Sequence, residues 1–382
     1  MKTPKKILFY IKDPNGGTGR FLENYAKIIT RYSDADYLIL THFPPHGFRF
    51  HHQVIGKPIE KQQGFNFGNI VRTIINLISV QKTITDFQPD VIFSLDIYAN
   101  LSCLFLKLRN WKIFLITSSH IDPFRHLRGR RNYIFTYLTQ LTIKKLYPFS
   151  NCHFTPSQEL RQRLIEKIFI NQQKVITIPN PVDDIYITRL ARKPNKLIRL
   201  LLPKHMPIII SICRFDEQKD TEKLIVAASK LTLQRFKVII LGDGPLRSSY
   251  QKIVRRLKLH NQVIFLGWQT NPYQFLHRAD IFILVSHYEC FPYSLLEALT
   301  LKTAIIASDI DFGPREILRN GKYGLLLKTS SPKEIAVAIR QLLWSNKKRQ
   351  QLVRLGALRA KDFSIKSLAH SYLKLLFNHL GD

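Results

Sequence analysis

His287-Tyr288-Glu289-Cys290-Phe291-Pro292-Tyr293-Ser294-Leu295-Leu296-Glu297-Ala298 follows an apolar run, Ile281-Phe282-Ile283-Leu284-Val285. The run reads as a buried strand, and Pro292 as part of the first turn of a helix, where its missing N–H costs nothing. Glu289 is then expected in the loop at the strand end and Glu297 about a turn inside the helix. The first-turn N–H groups would lie between the two carboxylates, suited to an anion. This pattern points to a nucleotide or phosphate site at the carboxyl edge of a parallel sheet.

The same strand-and-helix alternation continues on both sides. Toward the N-terminus, Ile7 to Ile11 reads as a strand, followed by Asp13-Pro14-Asn15-Gly16-Gly17-Thr18-Gly19 and a helix from Arg20 to Thr30. Such a glycine turn either lets backbone N–H groups approach a phosphate or sugar, or is simply a tight turn. Further strands are expected at 37–41, 91–95, 113–117 and 175–178, with a helix at 69–87 and one capped by Ser157. The segment 42–64 reads as a long irregular loop. Its His42, His46, His51 and His52 have a spacing that fits no familiar metal site, and they read as surface histidines. His120 falls just past a strand end, a place for ligands in α/β sheets, although a structural role is equally open to a lone histidine.

A basic, Pro-containing stretch up to Pro203 reads as the domain boundary. A second series begins at Ile208, with strands at 208–213, 236–241, 263–267, 303–308 and 324–327 and helices between them. The organisation expected is a 1–185 domain, a 186–205 linker, a 206–360 domain and a C-terminal helix within 361–382. The fold class is α/β, with two βαβ-built domains and a cleft between them.

Composition narrows the partners. The 382 residues carry 58 Lys+Arg against 27 Asp+Glu, a net charge of +31. Both halves are basic, so the field attracts polyanions: phosphorylated small molecules, an anionic membrane or nucleic acid. No nucleic-acid-binding motif stands out, and none is expected as a partner. From Arg125 to Tyr147, basic and aromatic residues alternate along a helical segment. That segment suits an anionic bilayer surface, or else packs its apolar side in the core. The four cysteines are scattered without metal spacing, which suits a reducing compartment. No apolar run is long enough to span a bilayer, so the expected location is cytoplasmic, with any membrane contact peripheral.

Several motifs occur in a fixed order: Pro179-Asn180-Pro181-Val182-Asp183, Arg214 with Lys219, Gly242-Asp243-Gly244-Pro245-Leu246, Glu289 to Glu297, and Gly313-Pro314-Arg315-Glu316-Ile317. This series resembles the retaining glycosyltransferases of family 4 (glycosyl transferases group 1). These have the GT-B fold of two facing Rossmann-like domains with a cleft between them. The resemblance is densest from Val175 to Leu327.

It implies that Glu289 lies by the transferred sugar and that Glu297 binds the ribose hydroxyls. Arg214 and Lys219 would hold the diphosphate, the group on which negative charge grows as the glycosidic bond breaks. N–H donors near Ser294 and Leu295, together with Phe291 and Gly242, would complete the donor side. Gly16, Gly17 and His120 would serve from the N-terminal domain. Trp268 stands near the place of the nucleobase, unless it only packs.

The activity implied is transfer of a hexose-type sugar from a UDP- or GDP-sugar donor to a glycan or lipid-linked acceptor. Cell-envelope polysaccharide or lipopolysaccharide assembly at the membrane surface would fit. No cofactor and no metal is expected; the nucleotide-sugar is a substrate. The alternatives are a nucleotide-sugar 2-epimerase of the same fold, or a basic binding protein without catalysis. Departures from the family pattern are Ser211, Asp220 and Lys302 at positions often glycine, Cys290 beside Glu289, and Ala304. If Lys302 is left-handed, it costs on the order of 1–2 kcal/mol relative to glycine.

Overall fold

The computed structural model describes residues 5–44, 52–55, 67–109, 113–127, 133–203, 206–231 and 235–378. The chain divides into two compact units, Met1–Pro181 with Leu368–Asp382, and Val182–Ser367.

Unit 1 contains a parallel sheet of β1 (Lys6–Ile11), β2 (Asp36–Thr41), β3 (His52–Val54), β4 (Val91–Ser94), β5 (Phe114–Ser118), β6 (Cys152–Thr155) and β7 (Val175–Thr177). The strand order is β3-β2-β1-β4-β5-β6-β7. Its helices are α1 (Gly17–Tyr32), α2 (Phe67–Phe87), α3 (Ile97–Lys107), α4 (Pro123–Leu127), α5 (Tyr133–Leu146) and α6 (Gln158–Ile168). The strands are apolar over nearly their whole length because helices cover a parallel sheet. An aromatic core forms where α1 lies on the sheet: Phe21 and Tyr25 pack against Phe93 with ring centroids 6.1 and 5.5 Å away. Ser157 caps α6 by accepting from the Leu160 N–H, and Asp96 caps α3 by accepting from the Ala99 N–H. The second Asp96 oxygen accepts from the Lys12 N–H, which ties the loop after β1 to the turn after β4.

Unit 2 opens with α7 (Asp184–Ala191) and α8 (Lys196–Leu201). Its sheet is built from β8 (Ile208–Ile212), β9 (Lys237–Leu241), β10 (Val263–Gly267), β11 (Ile281–Leu284), β12 (Ala304–Ser308) and β13 (Leu325–Leu327). The strands run parallel in the order β10-β9-β8-β11-β12-β13. Between and after them lie α9 (Thr221–Ser229), α10 (Arg247–Arg256), α11 (Tyr273–Arg278), α12 (Tyr293–Thr300), α13 (Pro314–Ile317), α14 (Pro332–Trp344) and α15 (Asn346–Ala360). A final helix, α16 (Ile365–Phe377), starts in unit 2 and counts with unit 1 from Leu368 onward, where Tyr372 packs 4.7 Å from the Tyr25 ring.

Three expectations change. The stretch read as a linker over 186–205 is folded for most of its length, as α7 and α8. Asn195, Asn271 and Gln274 tie it to α11: Asn195 Nδ2 donates to Gln274 Oε1, and Gln274 Nε2 to the Lys193 carbonyl. The division falls at Pro181/Val182 instead. The loop expected over 42–64 contains β3 at the sheet edge, pairing with β2. The sequence reading also passed over α15, whose Lys- and Arg-rich run masks a thin apolar side (Leu352, Gly356, Ala360).

Candidate active site

In unit 2 the strand order reverses between β8 and β11, and the loops after these two strands lie side by side. Ligands gather at such a switch point in open parallel sheets. The β8 loop carries Arg214 to Asp220 and the β11 loop carries Ser286 to Pro292.

Consecutive residues lace the two loops together. The Gln218 carbonyl accepts from the His287 N–H at 2.8 Å, and Gln218 Nε2 donates to the Tyr288 carbonyl at 2.8 Å. Lys219 Nζ meets Glu289 Oε1 at 2.5 Å, and Asp220 Oδ2 meets His287 Nε2 at 3.0 Å and Lys223 Nζ at 2.8 Å. Glu289 Oε1 also accepts from Ser286 Oγ at 2.6 Å, and the carboxylate is 6% exposed. Burial works against the Lys219 ammonium, but the charge and hydrogen bond of Glu289 outweigh it. The Lys219 pKa therefore stands above the ordinary lysine value, and the site keeps a fixed positive charge beside a fixed carboxylate.

Arg214 lies at the loop mouth with its side chain 64% exposed, its Nε 2.6 Å and its Nη2 2.5 Å from Asp216 Oδ2. Asp216 Oδ1 accepts from the Lys219 backbone N–H, so this carboxylate holds the Arg214 guanidinium and the backbone of the Lys219 loop together. After the Glu289 loop, α12 presents Glu297 on its second turn. This carboxylate is buried, with Oε1 accepting from Tyr273 Oη at 3.1 Å. Ser294 is half-buried in the first turn of α12.

Gly242 and Gly244 have a structural reason to be glycine. A Cβ on Gly242 (φ 124°) would sit 1.9 Å from the Cys213 carbonyl oxygen, and one on Gly244 2.5 Å from that of Phe215. The turn after β9 therefore presses its backbone onto the β8 loop and supports Arg214 from below. Trp268, just past β10, is 68% exposed, so it has no core-packing role. Two expected donor-side residues are turned inward. Phe291 packs edge-on to Phe363 at 5.6 Å, and the Leu295 side chain is fully buried. The Leu295 N–H is itself taken up by the Pro292 carbonyl at 3.2 Å, so Leu295 does not offer the donor expected of it.

In unit 1, Gly16 (φ 102°) caps α1 and Gly17 opens it, with open space where either Cβ would stand. His120 lies beyond β5, its ring 4.4 Å from Phe21 of α1. Its Nε2 is sealed from solvent with no hydrogen-bond partner among the described residues. Burial, helped by neighbouring His153, lowers its pKa to about 3, so the ring is neutral at physiological pH. His42 is a buried structural residue: Nε2 pairs with Tyr10 Oη at 2.7 Å and Nδ1 with the Ile55 carbonyl at 3.1 Å. Both ring nitrogens are occupied, and the surface placement expected for His42 is corrected. His46 and His51 and the side chain of His52 lie outside the described residues.

Sequence reasoning missed Asp216, Gln218, Ser286, His287 and Tyr273, which hold the charged groups in place. Four of them stand near a flagged residue in sequence, as Asp216 does two positions after Arg214 and Ser286 three before Glu289; Tyr273 is 24 positions from Glu297 and has no such signal.

Comparison with known proteins matches the two halves of the chain separately. Residues 15–185 match the family described as Glycosyltransferase Family 4, and residues 193–358 match Glycosyl transferases group 1. An uncharacterized glycosyltransferase of Methanocaldococcus jannaschii is 28% identical over 78% of this chain and 76% of its own length. The GalNAc-alpha-(1->4)-GalNAc-alpha-(1->3)-diNAcBac-PP-undecaprenol alpha-1,4-N-acetyl-D-galactosaminyltransferase of Campylobacter jejuni is 24% identical over 97% of this chain and 98% of its own. Among solved structures, Anabaena HepE in complex with UDP and glucose superposes with a TM-score of 0.80 over 97% of this chain and 99% of that one, at 17% identity. With both units matched and the fold shared, the chain belongs to the family 4, group 1 glycosyltransferases and has the GT-B fold.

Proposed function

We propose that this glycosyltransferase moves a hexose-type sugar from a UDP- or GDP-sugar to a lipid-linked glycan, with retention at the anomeric carbon. The carrying observation is the part-buried Lys219–Glu289 pair at the switch point, with Arg214 on the same loop as Lys219 and Glu297 on the helix that follows Glu289. In the reaction, the bond from the anomeric carbon to the β-phosphate oxygen breaks as an acceptor hydroxyl oxygen bonds that carbon on the same face. The hydroxyl proton passes to the departing phosphate. Lys219 and Arg214 neutralise the charge that grows on the diphosphate, Glu289 accepts hydrogen bonds from the sugar hydroxyls, and Glu297 accepts them from the ribose. The proposal invokes no metal, because the two cations carry the neutralising charge.

The lipid-linked acceptor is supported by the undecaprenol-linked substrate in the name of the Campylobacter relative, and UDP by the ligand in the HepE complex. Cell-envelope polysaccharide assembly from the inner membrane surface is the setting this suits. Among the described residues no helix is long and apolar enough to cross a membrane.

A thermal-shift screen with UDP, GDP, ADP and their sugars, with and without EDTA, tests the donor. Ligand at about a hundredfold over Kd adds roughly 2.7 kcal/mol, which is a shift of several degrees. The expected result is a shift with UDP or GDP that survives EDTA. No shift with any nucleotide would remove the reading. Release of the diphosphate in the presence of lipid extract, with the product anomer read by NMR, then tests transfer.

A further inference from the structure

In unit 1, α3 packs against α2 on one side and α5 on the other, and the three helices leave much apolar side chain in water. The concentration is greatest on α5, where Tyr133 is 82%, Ile134 75%, Tyr137 62% and Leu138 54% exposed. From Tyr133 to Ile143 the helix has no charged residue, and Ile143 is its only buried one among the described residues. Its first six residues are exposed or half-exposed on all sides, so this is not a helix with one stripe in the core. Phe105 at the end of α3 and Ile78 of α2 extend the apolar surface. Soluble proteins seldom leave a contiguous patch of this kind without a partner.

Charge identifies the partner. Exposed Lys144 and Lys145 end α5, Lys82 lies on α2, and exposed Arg109 places its guanidinium 5.2 Å over the Phe105 ring. Across α2, α3 and α5 the sequence holds a single acid, Asp86. Rings and aliphatic side chains bordered by cations, almost without acids, suit a surface that is apolar below and anionic above. A second copy of the chain suits it badly, since a two-fold contact would set these cations against their own copies on a protein of net charge +31.

We propose that the α2–α3–α5 face rests on an anionic lipid bilayer, with the first turns of α5 entering the headgroup region and the lysines and Arg109 lying on phosphates. The inference stands on the exposed face and not on the assigned reaction, although it would bring unit 1 to the place where a lipid-linked acceptor resides.

Co-sedimentation of the full chain with vesicles tests it without any turnover. The vesicles are phosphatidylethanolamine with about 30% phosphatidylglycerol, or phosphatidylcholine alone, at about 0.15 M salt. The wild type is expected to sediment with the anionic vesicles. The variant Ile134→Ser/Tyr137→Ser/Leu138→Ser should lose at least about tenfold in partitioning, because binding scales with the apolar area inserted. Its melting temperature should stay unchanged, as these side chains are exposed. Charge reversal on exposed Lys252 and Arg256 of α10 should leave binding near the wild-type level. The proposal fails if the wild type stays in the supernatant, or if the serine variant binds as well as the wild type. It also fails if the α10 reversal costs as much as the serines, which would show diffuse attraction by net charge. A serine variant that changes only the oligomeric state would assign the face to self-association instead.

Discussion

Lys219 and Glu289 are each other's counter-charge, and this sets what their replacement does. The carboxylate is 6% exposed and receives both Lys219 and Ser286, so its position is fixed before substrate arrives. Glu289→Ala is expected to cut transfer by roughly 10²–10³ with little change in nucleotide affinity, and, because it leaves the Lys219 ammonium without its partner, to lower stability by up to about 3 kcal/mol. Isothermal titration beside a transfer assay separates the two, and wild-type turnover in this variant would end the assignment. Lys219→Ala should behave differently. It removes the cation proposed for the diphosphate and also leaves a buried carboxylate without its partner. Nucleotide affinity should fall about tenfold or more, and stability by about 3 kcal/mol. Because the Lys219 pKa stands above its ordinary 10.5, its ammonium does not titrate away at mildly alkaline pH, and nucleotide binding should not weaken there on its account. Glu289 and Glu297 stand out in the sequence as two carboxylates around a helix start, and Arg214 and Lys219 enter through the family resemblance. Their supports were not legible: Ser286 is a small residue that bonds Glu289 within one loop, and Gln218 a neutral one whose partners, His287 and Tyr288, come from another loop.

At the scale of elements, the informative positions are those where a residue with a side chain takes a glycine's conformation. Asp220 (φ 42°) and Lys302 (φ 60°) are both left-handed, and both were marked in the sequence as departures from a common glycine. They differ in what the side chain gains. Asp220 reaches His287 of the neighbouring loop and Lys223 of α9, so it latches the Lys219 loop to the Glu289 loop. Among the described residues the Lys302 side chain makes no hydrogen bond or ion pair, and its left-handed backbone ends α12. Lys302→Gly is therefore expected to stabilise the protein by up to about 1 kcal/mol, the relief of strain less the added freedom of the unfolded chain. Asp220→Gly should gain nothing net in stability, because the latch is lost with the strain. It should instead speed hydrogen exchange in segments 214–220 and 286–291. Urea melts of both variants and exchange mass spectrometry of the second make the comparison. The elements themselves were largely readable, because buried parallel strands are short apolar runs between turn signals. What escaped were α7, α8 and α15. Their apolar sides are narrow, and basic residues and prolines dominate their local sequence, so tertiary contacts such as Asn195 to Gln274 decide the outcome.

For the molecule as a whole, charge and burial together set its response to acid. Unit 1 encloses His42 and His153, with pKa values lowered by burial to about 4 and about 3 respectively. His153 lies between Thr117 Oγ1 at 2.8 Å and Ser119 Oγ at 3.1 Å, and His42 between Tyr10 and the Ile55 carbonyl. In the unfolded chain both titrate near 6.5. Between that value and their folded pKa values, the unfolded state binds protons that the folded state refuses, so stability falls as pH falls. The stabilisation is fully present above about pH 6.5 and is lost progressively toward pH 4 and below. At pH 5 each histidine accounts for a loss of roughly 2 kcal/mol, at about 1.4 kcal/mol per pH unit. The net charge of +31 adds to this, because each further proton enters an already repulsive field. The expected outcome is a melting temperature that is level above pH 7 and drops steeply from pH 6.5 to 5. His153→Asn, which keeps a polar side chain without the titration, should lower stability at pH 7 but flatten that slope. Calorimetry of wild type and variant across the range decides the matter for His153: parallel slopes would place the acid sensitivity elsewhere than in that histidine.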